Sequence, residues 1–187
     1  LLIDETRVFH FGTLSLTGEP ARTTTYRAVE YAKAHGKLVT YDPNLRKPLW
    51  NDFNEAKEQM LWGLRQADVV KISDEEAPRV AGCLTGCPAA DPGGLCRELL
   101  DRRENLEMVI LTEGAEGSRV FTRNRISAYV IPRGERVRPV DTVGAGDSFT
   151  AAFCAMLAAG YDIWPAQAFA SKVAAFVCSC AGAPPEY

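Results

Sequence analysis

The stretch VDTVGAGDSF, residues 140–149, decides both the fold and the site of this chain. An apolar stripe with helical spacing begins at Phe149, so we expect a helix to start near Ala145. Gly144 and Gly146 tolerate unusual φ values and let a bulky ligand approach the backbone amides. Amides at a helix N-terminus have no partner within the helix and lie at the positive end of its dipole. The stretch therefore predicts an anion site that suits a phosphate.

Asp147 falls in the first turn of that helix, beside the predicted phosphate. A carboxylate in this position can take a proton from an alcohol that attacks the phosphate. The alternative is a carboxylate that only interacts favourably with the helix dipole, which contributes about 0.3–1 kcal/mol and needs no function. For an isolated Gly-x-Gly-Asp, the second explanation would be the better one.

Composition and charge narrow the class of protein. The 187 residues are 47% hydrophobic and 24% charged, which suits one soluble globular domain or a large part of one. A net charge of -3 with a pI near 5.5 indicates no nucleic-acid or membrane-surface partner. No apolar run approaches the roughly 20 residues that cross a bilayer, and the first residues lack the features of a signal peptide. We therefore expect a cytoplasmic protein without a membrane partner.

Strand and helix patterns alternate along the chain, which indicates crossover connections between parallel strands. The predicted fold class is α/β, with three layers and a mostly parallel central sheet. The C-terminal helices should each bury one apolar stripe. Strands are predicted at 8–12, 38–42, 68–72, 108–111, 119–122 and 127–131, helices at 20–35, 54–66, 75–81 and 94–102, and the last stripe at Phe169, Val173, Phe176, Val177 and Cys180.

Other routes to function are disfavoured. The chain contains no Gly-x4-Gly-Lys-Ser/Thr, so it is no P-loop protein, and no Gly-x-Gly-x-x-Gly follows a strand. The six cysteines include the pairs Cys83–Cys87 and Cys178–Cys180, but the two histidines lie in unrelated elements. We interpret the cysteines as reduced thiols rather than zinc ligands.

The stretch from Asp141 to Phe149 resembles the signature of ribokinase-like (PfkB-type) carbohydrate kinases. Four further segments resemble fructokinase segments in the same order, and the resemblance covers nearly the whole chain. Each is weak alone, but together and in this order they are specific. They are FHFGTLSL at 9–16, YDPNLRKPLW at 41–50, KISDEE at 71–76 and LTEGAEGS at 111–118.

The resemblance implies that residues 1–187 are the C-terminal part of the major, nucleotide-binding domain of a sugar kinase. Family members carry further sheet strands and a small β lid before this region. We therefore expect those strands and the lid to be missing here, the isolated chain to be inactive, and the full-length protein to pair as a homodimer through its lid.

The implied reaction is ATP- and Mg²⁺-dependent phosphorylation of a sugar hydroxyl, with fructose as the favoured acceptor. Asp147 would be the general base, and the amides of Gly144, Ala145 and Gly146 would form the anion hole. A kinase for another acceptor, such as 2-keto-3-deoxygluconate or ribose, stays open. So does a non-catalytic relative that acts as a binding module, although such a module has no need of a base beside the phosphate.

The resemblance also assigns the remaining site residues. Glu76 would hold Mg²⁺ through water, or would simply be a solvated acid at a helix start. Asn44 and Arg46 would contact the sugar together with Asp147, or would provide only turn chemistry and a surface cation. The implied nucleotide contacts are Ser73, Thr112, Gly114 and Gly117, of which the two glycines also suit a tight turn. A monovalent cation such as K⁺ would be held by Asp141 and the carbonyls of Val143, Val177, Cys180 and Gly182.

Overall fold

A computed structural model of the chain describes residues 2–85, 91–131 and 136–182, so Cys87 lies outside the described residues. The chain divides into two compact units, Leu1–Leu111 with Phe121–Arg125 and Thr112–Val120 with Ile126–Tyr187. The strands are β1 (Val8–Gly12), β2 (Leu38–Asp42), β3 (Val69–Ser73), β4 (Met108–Thr112), β5 (Ser118–Thr122) and β6 (Ile126–Tyr129). The helices are α1 (Ala21–Ala34), α2 (Phe53–Gln66), α3 (Ala77–Thr85), α4 (Pro92–Arg102), α5 (Ala145–Ala158) and α6 (Ile163–Cys178).

The six strands form one sheet in the order β1-β2-β3-β4-β5-β6. Strand β1 pairs with β2 in parallel, from Val8 opposite Leu38 to Gly12 opposite Asp42. Strand β2 pairs with β3 in parallel as well. The α/β fold with a mostly parallel sheet, predicted from the alternation of strands and helices, is confirmed.

The first unit is built on the near-continuous apolar strands β2 and β3, which are buried along most of their length. The Tyr41 ring is fully buried in this core. Helix α2 lies so close to that ring that a Cβ on Gly63 would come within 2.4 Å of Tyr41 Cζ. The absence of a side chain at Gly63 therefore lets α2 pack directly against Tyr41 of β2.

The helix ends follow from local side-chain chemistry. Asp52 accepts a hydrogen bond from the Asn54 amide at the start of α2 (2.9 Å), and Asp91 accepts from two amides at the start of α4. Gly36, with φ 65°, closes α1 as its position in the sequence predicts. At the end of α4, the Arg123 guanidinium donates to the carbonyls of Leu100, Arg103, Glu104 and Leu106.

In the second unit, α6 packs against α5 and β6. The predicted apolar stripe of α6 is wrong in part, because Phe169 and Phe176 are 47% and 48% exposed. The buried face instead carries small and polar residues, among them Ala166, Gln167 and Ala170. Small side chains let α6 approach its neighbours closely, and Gln167 is buried because it hydrogen-bonds to the strands. No helix in the described parts of the chain has the length and apolar character to cross a membrane.

Candidate functional site

The N-terminus of α5 is opened by Gly144, which has φ 80° and ψ -5° and precedes the first helical residue. This left-handed conformation favours glycine. The Ala145 amide donates to the Thr142 carbonyl at 3.3 Å, and the Ser148 amide donates to the Gly144 carbonyl at 2.8 Å. Within residues 136–182, the amides of Gly144, Gly146 and Asp147 donate to no protein acceptor. Two of the three predicted anion-hole amides are thus available, and the amide of Asp147 joins them.

Asp147 lies in the first turn of α5 with its side chain exposed. Among the described residues, its carboxylate takes part in no ion pair or hydrogen bond. The helix start therefore presents amide donors and a solvent-accessible carboxylate on adjacent residues. Such a pair can bind an anion and accept a proton beside it.

Asp141 ties the segment before α5 to the segment after α6. Its Oδ1 accepts from the Val143 amide (2.9 Å), and its Oδ2 accepts from the Gly182 amide (3.2 Å). The Cys178 carbonyl accepts from the amides of Val140 and Asp141 at 2.7 and 3.3 Å. Burial raises the pKa of the Cys178 thiol, and the charge of Asp141 adds to that rise.

The residues predicted to hold a monovalent cation come together in part. Asp141, Val143 and Gly182 are joined by the carboxylate bonds, whereas the Val177 carbonyl accepts from the Cys180 amide at 3.1 Å. In the described ranges, no three His, Cys, Asp or Glu side chains gather where they could hold a metal ion. A cation at this loop would therefore depend on carbonyl oxygens and water, ligands that suit a hard cation.

The predicted nucleotide contacts Thr112, Gly114 and Gly117 lie at the end of β4 and in the turn that leads to β5. Gly114 has φ 52° and Gly117 has φ 111°, both in the region that favours glycine. The Glu113 amide donates to the Gly117 carbonyl (2.9 Å) and closes the turn. A Cβ on Gly117 would lie 2.0 Å from the Tyr129 carbonyl oxygen, so this glycine is required by the turn itself.

The Glu113 side chain adds a second closure to this turn. Its two carboxylate oxygens accept from Nε and Nη2 of Arg119, at 2.9 and 2.6 Å. A forked guanidinium–carboxylate pair fixes both side chains in one plane. The turn is therefore held at its base by a backbone bond and at its side by an ion pair.

In the first unit, Glu76 joins the segment after β2 to the segment after β3. Its Oε1 accepts from the Leu45 amide (3.1 Å), and its Oε2 accepts from the amide and hydroxyl of Ser73 (3.3 and 3.1 Å). These contacts bring the predicted residues Ser73 and Glu76 next to the Asn44–Arg46 loop. Because a carboxylate offers about four acceptor positions, at most one is left, and the alternative of a freely solvated acid is wrong. The predicted helix start at Glu75 is also corrected, since α3 begins at Ala77.

Asn44 adopts φ 35°, which is uncommon for a residue other than glycine. Its amide donates to Asp42 Oδ1 at 3.0 Å, so the turn chemistry expected of the Asp-Pro-Asn sequence is present. Arg46, two residues further, is exposed. The loop thus holds the Asn44 backbone in a left-handed turn and exposes the Arg46 cation.

A buried ion pair below this loop escaped the sequence analysis. Lys71 Nζ lies 3.0 Å from Asp42 Oδ2, and the two residues are 7% and 3% exposed. Burial raises the pKa of Asp42 to about 6, with Lys71 opposing the rise and Glu76 adding to it. The available signal was Lys71 itself, a charge within the apolar strand VVKIS, because a charge buried there requires a partner.

A mostly parallel α/β fold with a glycine-opened helix start and an adjacent carboxylate is an arrangement that can bind a phosphate group. The family described as pfkB family carbohydrate kinase matches residues 1–185. The chain therefore belongs to this family, as its sequence motifs predicted.

Individual relatives agree with this assignment. Fructokinase-2 of Solanum lycopersicum is 36% identical over 179 residues, which cover 96% of this chain and 52% of that protein. A fructokinase from Vibrio cholerae, with fructose, ADP and calcium bound, has a TM-score of 0.79 and 28% identity over 94% of this chain and 56% of its own. Aminoimidazole riboside kinase from Salmonella enterica, with aminoimidazole riboside and an ATP analogue, has a TM-score of 0.82 and 26% identity over 94% and 57%. The chain spans about half the length of the curated relatives it matches.

Proposed function

We propose that residues 1–187 form the nucleotide-binding part of an ATP-dependent sugar kinase, with fructose as the favoured acceptor. The observation that carries this proposal is the start of α5, where unengaged amides adjoin the exposed carboxylate of Asp147. Membership in the family supports the reaction class. The fructokinase relatives, and the fructose and ADP bound to the Vibrio cholerae enzyme, support the acceptor.

In the proposed reaction, Asp147 accepts the proton of the sugar hydroxyl as its oxygen attacks the terminal phosphorus of ATP. The bond from that phosphorus to the bridging oxygen breaks, and ADP leaves with the bridging oxygen. The unengaged amides of Gly144, Gly146 and Asp147 stabilise the charge on the transferring group, whereas the Ala145 amide already donates to the Thr142 carbonyl. Their fixed orientation costs no reorganisation during the reaction, which is why backbone donors suit this role.

Mg²⁺ would neutralise charge on the phosphates of the bound nucleotide. Glu76 would hold such an ion through water, because three protein donors leave its carboxylate at most one acceptor position. Asp141 would likewise hold a monovalent cation through water, because each of its carboxylate oxygens already accepts a hydrogen bond from a backbone amide. We propose Thr112, Gly114, Gly117 and Ser73 as nucleotide contacts, and Asn44 and Arg46 as sugar contacts.

A riboside is the second candidate acceptor. The Salmonella enterica kinase that binds aminoimidazole riboside has a fold as similar to this chain as the fructokinase has. A panel of fructose, ribose, 2-keto-3-deoxygluconate and ribosides, offered with ATP to the protein encoded by the complete reading frame, decides among the acceptors.

The decisive experiment replaces the proposed base. In the protein from the complete reading frame, Asp147→Asn should lower turnover by about 10²–10⁴-fold, the usual worth of a positioned general base. Nucleotide affinity should stay nearly unchanged, because the amides remain in place. Asp162→Asn is the matched control, since Asp162 is an exposed carboxylate at the start of α6 that forms no capping bond.

Steady-state kinetics and melting temperature are measured on both variants and the unaltered protein. Asp162→Asn should leave turnover unchanged. If Asp147→Asn keeps more than about a tenth of the original rate, well short of the loss expected for a general base, the catalytic role is refuted. The α5 start would then be a phosphate cradle only.

A further inference from the structure

Gln167 is a polar side chain with 0% exposure in the second turn of α6. Its Nε2 donates to the carbonyl and hydroxyl oxygens of Ser118 (3.1 and 3.2 Å) and to the Ser127 carbonyl (3.4 Å). Its Oε1 accepts from the Ser127 hydroxyl at 2.6 Å. Because a buried amide is costly unless it is satisfied, these bonds fix α6 to the start of β5 and to β6.

The start of β5 is also the end of the turn that we propose contacts the nucleotide. Ser118 directly follows Gly117, whose carbonyl closes the turn by accepting from the Glu113 amide. Gly117 in turn lies against the backbone of Tyr129 at the end of β6. The position of this turn is therefore set by the two strands that Gln167 holds.

The opposite end of α6 contacts the residues just before α5, whose N-terminus we propose binds the phosphates of the nucleotide. The Cys178 carbonyl accepts from the Val140 and Asp141 amides, and Asp141 then binds the Val143 amide immediately before Gly144. On an ideal α-helix, positions 167 and 178 lie about 16 Å apart along the axis. One rigid element thus anchors both the turn and the approach to the anion site.

We propose that α6 is a spacer of fixed length between these two segments, and that Gln167 is a positioning residue for the nucleotide. The inference rests on the proposed function, because it requires a ligand that contacts both segments. A nucleoside diphosphate gains from a preset separation, since little has to be ordered when it binds. Pyrophosphate, which contacts only the α5 start, gains nothing from that separation.

The test compares these two ligands in calorimetric titrations with Mg²⁺ present. The variants are Gln167→Met, which keeps the size but removes the amide, and Ser127→Ala, which removes only one bond. Asn105→Ala is the control, because Asn105 makes a comparable polar link, to the carbonyls of Leu64 and Ala67, within the first unit.

Gln167→Met should weaken ADP binding by at least about tenfold, and Ser127→Ala by about threefold, which matches the loss of several bonds and of one. Pyrophosphate affinity should not change in either. Asn105→Ala should lower the melting temperature and leave both affinities as they were. This contrast separates positioning from stability alone.

Equal weakening of both ligands, or of neither, would overturn the proposal. If Gln167→Met does not fold, Ser127→Ala carries the same comparison with Gln167 in place. Failure of the unaltered, folded chain to bind ADP is a distinct outcome, because it refutes the proposed nucleotide site and removes the basis of the spacer with it.

Discussion

Replacing Gly117 by Ala should destabilise the second unit strongly. The backbone there has φ 111° and ψ -133°, a conformation restricted almost entirely to glycine that costs another residue about 1–3 kcal/mol. The new Cβ would also lie 2.0 Å from the Tyr129 carbonyl oxygen, which belongs to the backbone and cannot rotate away. We expect a loss of more than about 3 kcal/mol in the free energy of unfolding, since strain and overlap add.

Gly114→Ala, three residues earlier in the same turn, is the matched comparison. Gly114 has φ 52°, and a Cβ there would meet nothing within 4 Å. Left-handed strain of about 1–2 kcal/mol is partly offset by the lower entropy of the unfolded chain, so the net cost should be about 1 kcal/mol. Urea unfolding followed by far-UV circular dichroism measures both variants. Equal losses for the two substitutions would show that the contact with Tyr129 does not hold this turn.

Three further predictions concern the first unit. Lys71→Met should cost about 3–5 kcal/mol because it leaves the buried Asp42 carboxylate without an opposite charge. Asp42→Asn combined with Lys71→Met should recover most of the loss, and additive losses would contradict this. The pKa of Asp42 is raised to about 6 in the folded chain, so the folded chain binds the Asp42 proton more tightly than the unfolded chain does. The free energy of unfolding should therefore gain up to about 3 kcal/mol from Asp42 as the pH falls from about 6 to 4, which is opposite in sign to ordinary acid destabilisation. Urea unfolding measured over a pH series, on the unaltered chain and on Asp42→Asn, should show this gain only in the unaltered chain. Gly63→Ala should destabilise by about 1–3 kcal/mol through overlap with the Tyr41 ring, whereas Gly82→Ala, with open space around it, should not, and equal melting temperatures would refute the difference.

The fold was largely predictable because its signals are local. Short apolar runs such as MVILT are typical of buried strands, and the strands lie within about two residues of their predicted positions. The α6 face was not predictable from hydrophobicity. Phe169 and Phe176 dominate any apolar stripe, yet close packing selects the small residues on the other side of the helix.

The sequence predicted which segments contribute to the candidate site, but not the hydrogen bonds that join those segments. The start of α5 could be placed because the apolar stripe from Phe149 has helical spacing, and of the two glycines before it only Gly144 adopts a positive φ. The hydrogen bond from the Leu45 amide to Glu76 could not be predicted, since it joins residues far apart in sequence through a backbone amide that no side-chain pattern encodes. Gln167 was missed for the same reason, because its partners are two serines and their carbonyls.

Were Glu76 to hold a divalent ion as proposed, the three hydrogen bonds that its carboxylate accepts would bear on which ion the protein prefers. An ion that contacts Glu76 only through its own water keeps that water between the metal and the carboxylate. Its contact with Glu76 then depends little on the radius or the preferred coordination number of the metal. Discrimination among magnesium, manganese and calcium would then fall to the nucleotide phosphates rather than to this side chain. Exchange of one metal for another should accordingly leave the Glu76 contacts to Ser73 and Leu45 unchanged.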